Sequence, residues 1–234
     1  MGSREDAIAV NHEWQTDALA AAVSTNYNEE GSTLVAAEPA ATTRLGNICQ
    51  ISLKTTLVSG TLDAVSKAGR KQELAYQMTK RSKELKRDME TSLLNNQAKT
   101  PMAADSTVRK LGGLPNYVAT NVSEVGSGAG NGATRTDGTQ RTFTETLLKA
   151  TILAAYNNGA DCKYLMMAPA KKQIFSTFVG VGGASGVSNY IDATDQRIIG
   201  GMDIYVSDFG ELAVVPNRFQ RARDVWILDP EYYG

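Results

Sequence analysis

Few side chains in this sequence are of the kinds that carry covalent or proton-transfer chemistry. There is one histidine, His12, and two cysteines, Cys49 and Cys162, far apart in the chain. A zinc site draws several ligands from Cys and His, so most such sites are excluded. The two thiols form no disulfide framework and read as ordinary cysteines of a reducing compartment. A Ser/His/Asp triad would need His12, and no Gly-x-Ser-x-Gly elbow precedes a helix in a fitting context. The adjacent acids Glu29 and Glu30 lie in a polar stretch and read as solvated surface. A pair of catalytic acids distant in the chain would leave no local signature. The glycine runs 126–132 and 180–186 lack the Lys-Ser/Thr pair of a phosphate loop, and the dinucleotide fingerprint lacks its third glycine. They read as flexible loops. No catalytic, cofactor-binding or metal residue is assigned, and the chain reads as a non-enzyme.

One cluster remains. Lys80, Arg81, Lys83, Lys86 and Arg87 crowd a single stretch and could neutralise phosphates. Glu84 and Asp88 are interspersed one helical turn away, so part of that charge is paired. No aromatic residue is interleaved with the cluster, and Tyr76 lies one turn before it, which is a poor stacking platform for single strands. The cluster has three readings: a solvated helix face, a subunit contact, or a weak contact with DNA. A non-enzymatic nucleic-acid-binding module using helix 71–97 is the alternative function.

The elements that must position these residues follow from periodicity. Residues 7–17 alternate, with Ile8, Val10, His12 and Trp14 on one parity. Residues 49–57 alternate again, with Cys49, Ile51, Leu53 and Leu57 opposite Gln50, Ser52, Lys54 and Thr56. The two segments predict a long hairpin whose tip is the polar, Ala-rich stretch between them. A two-stranded ribbon is marginal alone in water, so it must lean on its own domain or on a neighbouring subunit. Val58 to Thr61 marks a turn. From Lys71 to Gln97, Leu74, Met78, Leu85, Met89 and Leu93 recur on one stripe, predicting a helix about 40 Å long.

Pro101, Gly112-Gly113 and Gly126 to Gly138 read as loop. Thr142 and Glu145 fit a capping box opening a second helix to about Tyr156, with Phe143, Leu147, Leu148, Ile152 and Ala155 on its buried side. Asn157-Asn158-Gly159 ends it. Tyr164 to Ala168 is a buried strand, and Pro169 starts a third helix through Phe175 and Phe178. Strands at Met202–Val206, Leu212–Val215 and Val225–Leu228 follow. Helices and strands mix without regular βαβ alternation, so the fold class is α+β.

With 234 residues the chain is one large domain or two small ones. Its 24 basic and 25 acidic residues leave a net charge of −1, unlike a protein that coats nucleic acid by bulk charge. No apolar run approaches the length of a membrane span, and the N-terminus lacks the pattern of a signal peptide.

An ordered series of strings resembles the major capsid (head) proteins of tailed bacteriophages. These are His12 to Asp17, Thr43 to Asn47, Val58 to Thr61, Ala68 to Arg70, Glu73 to Gln77, Lys83 to Asp88, Pro216 to Phe219 and Asp229-Pro230. The resemblance spans nearly the whole chain. It implies the Hong Kong-ninety-seven-like capsid fold. Residues 1–58 would be the extended loop and residues 59–115 the peripheral domain with its spine helix. Residues 116–234 would be mainly the axial domain, returning to the peripheral domain near the C-terminus. The resemblance also implies an N-terminal arm before the loop and further strands after Asp229-Pro230. Neither is found in these residues, so the chain reads as a fragment or processed form.

The function so implied is that of a structural subunit of an icosahedral phage head, located in the virion and assembled in the host cytoplasm. Its partners would be further copies of itself in pentamers and hexamers, packaged double-stranded DNA held weakly and without sequence preference, and scaffold, portal or decoration proteins. No membrane and no cofactor is implied. Ile8, Val10, His12, Trp14, Ile51 and Leu53 are the expected inter-subunit contacts, with Trp14 as anchor, since large aromatics dominate interface energetics. Lys80, Arg81, Lys83, Lys86 and Arg87 are expected to face DNA or a neighbouring subunit.

Overall fold

The computed structural model describes residues 7–33, 36, 38–65, 68–69, 72–102, 108–178 and 203–231. The chain begins as a ribbon. Strand β1 (Asn11–Thr16) pairs antiparallel with β2 (Thr43–Ile48), in a register that sets Trp14 opposite Leu45 and Glu13 opposite Gly46. The expected return strand at 49–57 is corrected: the paired strand lies just before it. Segment 49–57 keeps its alternation but has no assigned secondary structure. Its polar parity makes side-chain bonds instead. Gln50 Oε1 accepts from Gln97 Nε2 at 3.1 Å and from the Leu111 amide at 3.2 Å, and Lys54 pairs with Asp88 at 2.6 Å. Period-two alternation marks an extended chain with two unlike faces, whether or not a neighbour strand is present.

The turn at Val58 to Thr61 becomes the start of α1 (Gly60–Ala64), with the Ser59 hydroxyl accepting from the Leu62 amide. Helix α2 (Glu73–Leu94) follows. At 1.5 Å per residue its 22 residues span about 33 Å, shorter than the expected run because both ends stop inside it. Its own N-cap residue, Gln72, makes no side-chain cap. Asp63 of α1 serves instead, its Oδ1 accepting from the amides of Glu73 at 3.0 Å and Leu74 at 3.3 Å. The far end is tied to the C-terminal part of the chain. Asn217 donates to Glu90 at 2.7 Å, and the Arg87 guanidinium lies over the Phe219 ring at 5.5 Å.

Helix α3 (Glu145–Asn157) starts two residues later than a Thr142 cap requires. Thr144 is the N-cap, its hydroxyl accepting from the Leu147 amide at 3.4 Å. Glu145 is therefore the first helical residue and pairs forward with Lys149 at 2.7 Å. Asn158 and Gly159, the latter at φ +86°, close the helix. After β3 (Tyr164–Met167), Pro169 opens α4 (Pro169–Phe175) as expected, but the helix stops at Phe175 and does not run through Phe178. The loop expected at 180–186 lies outside the described residues.

Strands β4 (Ile204–Ser207), β5 (Gly210–Pro216) and β6 (Val225–Leu228) complete a sheet ordered β4-β5-β3-β6. Strand β3 runs parallel to β5 and antiparallel to β6. The core sits on one face of this sheet. Leu165, Met167, Tyr205, Leu212 and Val214 meet Leu148 and Ile152 of α3 and Phe175 of α4. The other parity stays open over much of the sheet: Tyr164, Ile204, Val206 and Val215 are exposed. This mixed arrangement of helices and two separate sheets is α+β, and it is compatible with a capsid protein.

Candidate functional site

The ribbon is gripped at its base by its own chain. Gly46 presents its carbonyl to two donors, Lys99 Nζ at 2.8 Å and the Tyr117 hydroxyl at 3.1 Å. Asn47 uses its amide twice on Gly112, donating to the carbonyl at 3.0 Å and accepting from the N–H at 2.8 Å. Trp14 lies on Tyr117, ring centroids 5.4 Å apart, and His12 lies 5.9 Å from Trp14. Burial pushes the Tyr117 phenol up to about 12. A side chain at Gly46 would stand 3.1 Å from both Glu13 Cγ and the His12 carbonyl, so the tight register across the ribbon needs a small residue there.

Beyond this clasp the ribbon is bare. Every residue from Gln15 to Ser32 is exposed, including Leu19 at 100% and Tyr27 at 80%. Among the residues expected to make contacts, Ile8, Val10, His12, Ile51 and Leu53 are exposed, and Trp14 is half-buried against Tyr117. The structure brings His12 and Trp14 together and leaves Ile8 and Leu53 without a covering group among the described residues. The clasp residues Asn47, Gln50, Gln97, Lys99 and Tyr117 were missed by the sequence reading. Single amide-to-backbone bonds have no spacing that betrays them. Only the string Thr43 to Asn47, which contains Gly46 and Asn47, stood out, by its resemblance and not by these bonds.

The second group is on α2. Lys80, Lys83, Lys86 and Arg87 are exposed, and Arg81 is half-buried with a bond to Glu84 at 2.7 Å. That bond is the main reason the Glu84 carboxyl lies below its ordinary range. The helix turns a polar side, Gln77, Arg81 and Glu84, toward partial cover. The predicted apolar stripe faces outward. Leu74, Met78, Met89 and Leu93 are all exposed, and Leu85 is half-buried.

An open cleft of about 1410 Å³ lies between Asp17–Ala22 at the start of the ribbon tip and the segment around Tyr117–Gly126. Two of its charged residues, Arg135 and Asp137, are engaged in ion pairs. Arg135 pairs with Glu124 at 2.9 Å, and Asp137 takes both Arg221 and Arg223. Burial raises the Asp224 carboxyl above its usual range, with Arg221 opposing. These pairs hold the 118–141 loop to the segment before β6. Among the described residues no three of His, Cys, Asp and Glu are grouped to hold a metal ion, and no helix is long and apolar enough to cross a membrane.

The family model described as SU10 major capsid protein matches residues 1–234. A curated relative, the major capsid protein of Escherichia phage Phieco32, is 40% identical over 108 residues, which is 46% of this chain and 31% of that protein. The match therefore spans about a third of the relative's length.

Proposed function

The chain belongs to the SU10 major capsid protein family, and from that premise we propose that it builds the protein shell of a phage head by packing against copies of itself. The copies would form pentamers and hexamers that close into an icosahedral container for double-stranded DNA. The ribbon, within residues 1–58, acts as the extended loop. Residues 59–115 carry the spine helix α2, and residues 116–234 supply mainly the axial part. Its place is the virion, and scaffold, portal or decoration proteins are further partners.

One observation carries this reading. The ribbon is bonded at its base and uncovered beyond it, with Leu19, Val23 and Tyr27 exposed. Exposed large apolar side chains on an arm of this kind mark a protein–protein contact. The open sheet face at Ile204, Val206 and Val215 supports the same conclusion, because both parities of β4 and β5 are apolar while helices cover one. Shell interfaces of this kind bury well over about 2,000 Å² each. Heterologous contacts that close into rings generate the symmetry.

The test is sedimentation velocity with negative-stain microscopy of the purified full-length product. Large uniform particles are expected. A monomer at every concentration overturns the proposal.

A further inference from the structure

The sheet β4-β5-β3-β6 ends on β6, whose far side carries no strand among the described residues. Register fixes which backbone groups that leaves bare. The carbonyls of Lys163 and Met167 accept from the amides of Ala213 and Asn217, so the odd positions of β3 turn toward β5. The even positions Tyr164 and Met166 turn toward β6, where they stand opposite Leu228 and Trp226. Val225 and Ile227 therefore direct their N–H and C=O groups outward, where they have no hydrogen-bond partner among the described residues. Nothing in the strand blunts this edge: Val225 to Leu228 contains no charge and no proline.

The cleft of about 1410 Å³ includes the same edge. Val225 and Ile227 line it together with Leu147 and Leu148 of α3 and Lys171 of α4. Both helices pack on the core face of the sheet, so beyond β6 they stand over the place a fifth strand would take. The cleft is larger than the roughly 300–1,000 Å³ usual for a small-molecule site. Its other wall, Asp17–Ala22 with the 118–126 segment, closes it to the flank of a second sheet while leaving room for one extended chain.

Lys171 gives the cleft a sign. Arg135 and Arg223 on the same lining have acids, and Arg141 bonds to Ser123. Lys171 is nine-tenths buried and its ammonium has neither an ion pair nor a hydrogen bond among the described residues. A lysine is rarely buried so far unless it is paired, because stripping water from the charge is costly. The absent counter-charge is an anion.

We infer that this cleft receives an extended peptide segment of a partner protein, which adds to β6 as a fifth strand. Its backbone pairs with Val225 and Ile227. Apolar side chains at alternate positions face Leu147 and Leu148, and a carboxylate among them meets Lys171. Main-chain bonds supply the affinity, and the alternate side chains supply the selection.

The experiment uses the full chain and fluorophore-labelled synthetic peptides of about six residues, an ordinary strand length. One alternates valine with threonine and carries glutamate at a central valine position. A second has glutamine there. A third is the glutamate peptide with every backbone amide N-methylated. Fluorescence anisotropy should show the glutamate peptide binding, the glutamine peptide about tenfold weaker, and the methylated peptide not at all. Lys171→Met, which keeps the apolar stem, should bind the first two peptides alike, with circular dichroism checking its fold. Hydrogen exchange at the Val225 and Ile227 amides should slow when the glutamate peptide is present.

Equal affinity of the wild type for the glutamate and glutamine peptides overturns the inference without recourse to a protein variant. So does binding of the methylated peptide, or no binding of the glutamate peptide at millimolar concentration. Displacement of the peptide by an equal concentration of inorganic phosphate marks a simple anion site, and the inference fails. If saturating peptide prevents self-association in sedimentation, the edge joins copies of this chain, and the partner named here is wrong.

Discussion

Trp14 and Tyr117, 103 positions apart in the sequence, meet with ring centroids 5.4 Å apart and planes inclined at 53°. The tilt suits two quadrupolar rings better than a flat sandwich. The contact fixes the ribbon to the segment that follows the 3-10 turn Leu114–Asn116, and the same tyrosine holds the Gly46 carbonyl.

Replacing Trp14 by alanine should free the ribbon without unfolding the sheet. The aromatic pairing contributes about 0.5–1.5 kcal/mol beyond simple burial. Hydrogen exchange followed by mass spectrometry should show faster exchange over Thr43–Ile48 and unchanged protection in β3. Unchanged exchange at Gly46 and Asn47 would mean the hydrogen bonds hold the ribbon alone.

The Tyr117 phenol gives a pH dependence with a definite sign. Its value in the fold, about 12, is above the ordinary 10, because burial disfavours the phenolate. Between those values the unfolded chain has lost the proton and the folded chain keeps it. The contribution to stability is therefore complete below pH 10 and is lost as pH rises toward 12. Absorbance at 295 nm should reveal tyrosines titrating late, Tyr117 and the buried Tyr205 among them. Tyr117→Phe should remove its share of that late titration and cost about 1 kcal/mol at neutral pH by removing the bond to Gly46.

Asp63→Ala should shorten α2 from its N-terminus. The carboxylate accepts from two amides at that end, and loss of a cap costs about 1 kcal/mol. A lower urea midpoint with an unchanged slope is the expected result, together with a small drop in helical dichroism.

Leu165→Ala tests the core. Leu165 is completely buried between the sheet and its helices, so truncation should cost about 2–5 kcal/mol. Calorimetry should show a large fall in Tm. A melt shifted by only a degree or two would mean that the cluster on that face is not the core of this part of the chain.

How much of this was legible in the sequence depended on whether a residue's partner is local. Pro169 starting α4 and Asn158-Gly159 closing α3 were readable because each acts within one turn of chain. The cap of α3 was misplaced by two residues since Thr142 and Thr144 are both N-cap types, and in the fold it is the Thr144 hydroxyl that accepts from the Leu147 amide. The return strand of the ribbon was misplaced because alternation persists through 49–57, where Gln50 and Lys54 bond to the α2 region instead of to a strand. The stripe on α2 was found, but periodicity cannot say whether a stripe faces its own body. In the candidate site, the charges and Trp14 were visible by type, whereas Asn47 and Gln97 act through contacts far along the chain.

The grip on Gly46 and Asn47 consists of amides, a phenol and backbone groups, with Lys99 the one formal charge. Dissolved ions hardly perturb bonds between neutral dipoles. Concentrated electrolyte should therefore leave each arm seated at its root, already shaped to meet a second copy whatever the ionic strength.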